Sequence, residues 1–90
     1  MPYITREARV ELDPAIDQLA DQIRAGEWRT TDEGELNYIL SRLINEWLGS
    51  KPRYADYNAA VGVLECCKLE LVRTRLSPYE DSKRVANGNI

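Results

Sequence analysis

Asn37, Glu65 and Lys68 are polar residues at positions where a helical repeat calls for apolar ones. On a wheel of about 100° per residue, Glu65 falls between Val72 and Leu76, and Lys68 falls between Tyr57 and Val61. Polar groups on a core-facing surface are costly unless paired. The three residues are therefore either members of a satisfied internal network or the floor of a binding pocket. Glu65 and Lys68, three apart on one helix, can pair with each other, and Asn37 can bridge a turn. A nucleotide-like anion would give the same residues other work. Lys68, Arg73 or Lys83 would hold phosphates, Tyr38, Tyr57 or Tyr79 would stack on a base, and Asn37 or Glu65 would bond its edge. Tyrosines at bundle edges also serve as amphipathic core. The candidate ligand-binding set is thus Asn37, Tyr38, Tyr57, Glu65, Lys68, Arg73, Tyr79 and Lys83.

Catalysis has less to work with. The chain has no histidine, which excludes the usual zinc and iron sites and the Ser-His and Cys-His hydrolases. General acid–base chemistry would rest on carboxylates, Lys or Tyr. A metal-dependent all-α nucleotide pyrophosphohydrolase needs Glu pairs at i and i+3 or i+4 that converge on one magnesium ion. Here Glu65 and Glu70 point to opposite sides of the wheel, Glu33 and Glu35 lie in a capping turn, and Asp17 and Asp21 share the solvent side of their helix. No catalytic residue, metal site or cofactor is expected. Cys66 and Cys67 are adjacent, about 100° apart on a helix, and poorly placed to bridge each other; they read as reduced thiols filling small core sites.

The elements that must position these residues are helical. Residues 1–12 lack a clear period and read as an arm. Asp13-Pro14 then reads as a helix start, with Ile16, Leu19, Ala20 and Ile23 on one face and Gly26 as a left-handed end cap. Trp28, in the following loop, is expected to close over the core. Asp32 and Glu35 make a capping box for a second helix, whose apolar set is Leu36, Ile39, Leu40, Leu43, Ile44, Trp47 and Leu48, stopped by Gly49. A third helix runs from about Tyr54 to Leu76. Its row Ala60, Leu64, Cys67, Leu71 steps by 4, 3, 4, as does Leu36, Leu40, Leu43, Trp47, so the two can interlock as an antiparallel hairpin. A second row, Val61, Leu69, Val72 and Leu76, is expected to meet another copy of the chain. Gly62, unfavourable in mid-helix, fits a close crossing. Ser77-Pro78 repeats the helix-start pattern, so the long helix is expected to break or kink there, with a short fourth helix over about 78–86, ended by Asn87-Gly88. The expectation is one all-α domain: a small antiparallel helical bundle with helices near 14–25, 33–48, 54–76 and 78–86, assembled as a homo-oligomer.

Ninety residues make one domain, 43% hydrophobic and 30% charged, which is globular rather than disordered. The absence of a long apolar run or signal-like start predicts a cytoplasmic protein without membrane contact. Residues 1–50 hold five Lys/Arg against ten Asp/Glu, and residues 51–90 hold seven against five. That split speaks against wrapping nucleic acid but permits a small anion site among Arg53, Lys68, Arg73, Arg75, Lys83 and Arg84. A solvated charged surface is the plainer explanation.

Gly34-Glu35-Leu36-Asn37-Tyr38, Leu64-Glu65-Cys66-Cys67-Lys68-Leu69-Glu70 and Pro78-Tyr79-Glu80, followed by Lys83 and Asn87-Gly88, resemble a family of small helical proteins scattered through bacteriophage and bacterial genomes. Pro2-Tyr3-Ile4-Thr5 and Leu12-Asp13-Pro14 extend the resemblance over nearly the whole chain. The family is a domain of unknown function. Its members tend to carry Asp after the Asn-Gly step, where this chain has Asn89. The resemblance implies a phage-type, stand-alone helical domain and transfers no activity. Three functional expectations follow: a non-enzymatic oligomer that binds a host protein or sequesters a small nucleotide-like anion; a structural or assembly component of a virion; or, least supported by the carboxylate spacing, the pyrophosphohydrolase.

Overall fold

Thr5 starts the first helix: its side-chain oxygen accepts the Ala8 N–H at 3.2 Å, and Glu7 lies in the first turn. In the computed structural model, described over residues 3–25 and 28–90 and for side chains over 3–24 and 30–90, helix α1 spans Arg6–Ile23. Residues 6–12 are therefore helical, and the expected arm and the expected start at Pro14 are both corrected. Pro14 lies inside α1. Arg6 to Leu12 are mostly strong helix formers behind a good cap, so one proline deletes a single hydrogen bond instead of marking a new start. Before the cap, Arg9 Nε donates to the Ile4 carbonyl at 3.1 Å.

Thr30 finishes α1 from the far side of a tight connection. Its N–H donates to the Ile23 carbonyl at 2.8 Å, and its hydroxyl reaches the Gln22 and Ile23 carbonyls at 3.0 and 2.8 Å. The last carbonyls of a helix have no partner of their own, and here a threonine supplies one. Strands β1 (Arg24–Ala25) and β2 (Trp28–Arg29) pair antiparallel, Arg24 with Arg29 and Ala25 with Trp28. This two-residue ladder replaces the expected plain loop in an otherwise all-helical fold. Gly26, Glu27 and the Trp28 side chain lie outside the described residues, and with them the expected Gly26 cap and Trp28 cover.

Helix α2, Glu33–Leu48, opens on a reciprocal capping box: Glu35 N–H donates to Asp32 Oδ1 at 2.8 Å, and Asp32 N–H donates to Glu35 Oε1 at 3.1 Å. It ends at Gly49, whose φ of 74° suits glycine, with the Gly49 N–H bonded to the Asn45 carbonyl. Tyr3–Pro52 forms one compact unit. In it Leu36, Leu40, Leu43 and Trp47 are exposed, and Ile39, Ile44 and Leu48 are half-buried.

The second unit, Arg53–Ile90, is built on one uninterrupted helical run. Arg53 N–H donates to Asp56 Oδ2 at 2.9 Å and opens α3, Tyr54–Leu71. A π-helical turn, Val72–Leu76, leads straight into α4, Ser77–Asn87, and the residues at both joints keep right-handed helical dihedrals. The expected break at Ser77-Pro78 does not occur. A proline ring presses on the carbonyl four residues back, which here is Thr74. Widening that turn to a π turn, with the Ser77 N–H bonded to the Val72 carbonyl five residues back, makes room for the ring without ending the helix. Thr74 also turns its hydroxyl onto the Glu70 carbonyl at 2.7 Å, a local bond that bends helices. Asn87 is the last residue of α4, followed by Gly88 at φ 93°.

Among the described residues Ala60, 4% exposed, is the one buried apolar side chain. The apolar residues of α3 are spread around its circumference instead of gathered on one face, with Asp56, Asn58, Glu65, Lys68 and Glu70 between them. Pro14 offers a check on the start of α1. Pro14→Ala should stabilise the protein by on the order of 1–3 kcal/mol in thermal unfolding, because it restores a hydrogen bond inside a helix. No gain, or a loss, would return the helix start to Pro14.

Candidate functional site

Asn37 and Tyr38 sit one turn into α2. Asn37 Oδ1 accepts the Ser41 hydroxyl at 3.5 Å, so its amide serves a local bond along its own helix. Tyr38 is engaged from the next turn: Arg42 Nη1 donates to its hydroxyl at 2.9 Å and the guanidinium lies 5.8 Å from its ring centroid. That hydrogen bond, then electrostatic attraction from Tyr38 and Glu46, holds the Arg42 guanidinium above its usual pKa. Arg42 was not among the sequence candidates. Its i+4 spacing from Tyr38 was the signal available to find it. Tyr38 also lines an open cleft of about 520 Å³ with Gln22, Thr30, Thr31, Gly34, Glu35 and Ile39. One Glu35 oxygen facing this region already serves the capping box.

The other six candidates lie on the long helix. Lys68 Nζ and Glu65 Oε1 are 3.1 Å apart, with side chains 64% and 55% exposed. Within the chain the polar pair is therefore neither desolvated nor in a core, and the premise that it faces inward is corrected. Arg73 pairs with Glu70, again three residues apart. Lys83 lies over the Tyr79 ring at 5.6 Å, beside an Arg84–Asp81 ion pair of 3.5 Å. Lys83 and Arg84 also line a shallow 330 Å³ cleft with Glu80, Asp81 and residues 88–90, where acids offset the cations. Tyr57 is half exposed.

One small ligand cannot use both ends of this set. Tyr57 and Tyr79 belong to one helical run and lie about 33 Å apart along its axis at 1.5 Å per residue. Five of the six candidates on the helix instead fall in three local pairs: Glu65 with Lys68, Arg73 with Glu70, which is not itself a candidate, and Tyr79 with Lys83. Among the described residues, no group of three or more His, Cys, Asp or Glu could hold a metal ion, and Glu65 and Glu70 already face cations. Cys66 is half-buried and Cys67 exposed, both free thiols, so the expected core role of Cys67 does not hold within the chain. Among the described residues, no helix is long and apolar enough to cross a membrane.

A family model described as a domain of unknown function, DUF6899, matches residues 1–90. No curated protein and no solved structure matches the chain. The Tyr79–Lys83 contact can be tested without a ligand. A double-mutant cycle with Tyr79→Leu and Lys83→Met should give a coupling of about 0.5 kcal/mol, the range of an exposed cation–π contact. Strict additivity would remove the contact as an organised feature.

Proposed function

The chain belongs to this family of unknown function, which brings no activity with it, and we propose on physical grounds that it is a small non-enzymatic binding protein that works as an oligomer. One observation carries the reading: α3 sets apolar residues around most of its circumference and almost all of them are left uncovered, in a unit whose described residues form a single helical run. A lone helix is marginal in water, and exposed apolar surface of this extent marks a binding surface. Leu64, Leu69, Leu71 and Leu76 on this run, with Leu36, Leu40, Leu43 and Trp47 on α2, are all exposed. In this proposal the helices complete a small antiparallel bundle through assembly, and the apolar surface left over holds a protein partner. For a phage-type gene, the genomic setting the motifs suggest, that partner is a protein of the bacterial host, met in its cytoplasm.

A second reading rests on the aromatic–cation pairs. Tyr38 with Arg42 and Tyr79 with Lys83 each place an exposed ring next to a positive charge, the combination that takes a base and a phosphate. Sequestering a small nucleotide-like anion is the form that this reading takes. The pyrophosphohydrolase has no comparable support, because the carboxylates lie along the helices in pairs with cations or caps.

Native mass spectrometry of protein purified gently from a bacterial host tests the assignment. The expected spectrum is an oligomer that retains a protein partner, or a few hundred daltons per site in the second reading. A monomer with no retained mass would overturn the binding-oligomer assignment. A clean oligomer without added mass would move it to a structural role in a virion.

A further inference from the structure

The oddest polar residues on the long helix have a symmetry that a second copy of the chain satisfies. Val61, Glu65, Lys68 and Val72 step by 4, 3, 4, the spacing of a helix–helix seam. Val61 is 66% exposed, and the Glu65–Lys68 pair between the two valines is exposed as well. Leu64 and Leu69, also exposed, flank the seam. Numbered from the midpoint between Cys66 and Cys67, these six residues are mirror-placed: Glu65 against Lys68, Leu64 against Leu69, Val61 against Val72. An antiparallel pair of identical helices related by a two-fold axis at that midpoint would therefore set every residue opposite its complement.

We propose that this face of α3 is a self-association surface, on which a second copy lies antiparallel with Glu65 against the partner's Lys68 and Lys68 against the partner's Glu65. The proposal rests on the oligomeric reading above and gives it a register. The two i,i+3 ion pairs seen within single chains become one four-residue network across the axis, closed above and below by Val61 against the partner's Val72. Charge complementarity selects this occupant. The other apolar stripes of the chain, Leu36, Leu40, Leu43 and Trp47 on α2 and Ile16, Leu19, Ala20 and Ile23 on α1, offer no charge, and covering Glu65 and Lys68 with them would desolvate both without adding a partner. The seam ends at Val72, where the π turn begins and alters the helical phase. Glu65 and Lys68 then act in register and specificity, the best-attested use of polar residues in a helix seam.

Charge reversal with mixing tests this register. In sedimentation equilibrium, Glu65→Lys alone and Lys68→Glu alone should each weaken self-association roughly tenfold or more, since four like charges then meet at the axis. Mixing the two variants should restore it as a heterodimer, because one chain then brings two positive charges to the axis and the other brings two negative charges. Repair inside one chain cannot explain that result, as both variants keep like charges three residues apart. Helical circular dichroism checks that each variant remains folded, which the exposure of the pair leads one to expect. Association unchanged in both single variants, or no recovery on mixing, overturns the register while leaving the oligomeric function standing. A monomeric wild type overturns both.

Discussion

Everything in this protein turns on a long helix that buries almost none of its own side chains. From Tyr54 to Asn87 the chain follows one helical path, and its first half is apolar around most of its circumference. Hydrogen bonds within a helix satisfy its own backbone but bury no side chain. The stabilisation of such a helix comes from what packs against it. Among its described residues, its unit contains no helix outside that path. In the proposed assembly, the subunit that covers α3 supplies its core.

Local chemistry explains how the chain builds these helices. Each start has a specific acceptor: Thr5 for α1, the Asp32–Glu35 box for α2, and Asp56 on the Arg53 N–H for α3. Each end is handled differently. Thr30 returns to serve the carbonyls of α1, and Gly49 and Gly88 take positive φ after α2 and α4. Two start signals go unused, Asp13-Pro14 inside α1 and Ser77-Pro78 in the long helical run. At Ser77-Pro78 the widened turn of the π segment takes up the proline, so a helix that sequence rules would divide in two continues as one. That continuity carries Tyr79 and Lys83 far from Tyr57, so one small ligand cannot meet all three.

How much of this is legible in the sequence depends on whether the signal is local. The capping box of α2 and the glycines after α2 and α4 involve residues three or four apart, and their types alone define them. The start of α1 is also local, but two signals compete there, Thr5 and Asp13-Pro14, and the better helix formers between them decide in favour of Thr5. Composition says that Glu65 and Lys68 interrupt an apolar surface, and the spacing says that they can pair; both are correct. What periodicity alone does not show is that this surface lies exposed in the chain, since a wheel assigns residues to a face without saying what stands opposite. Arg42 was missed for a related reason: it is an ordinary surface arginine until its reach to Tyr38 is considered.

Dependence of α3 folding on assembly would show in the concentration dependence of thermal unfolding. If a second subunit completes the core, Tm rises steadily as protein concentration is raised about a hundredfold, as mass action requires when only the folded state associates. A Tm that stays constant across that range, with α3 fully helical at the lowest concentration, would mean that the chain encloses its long helix unaided.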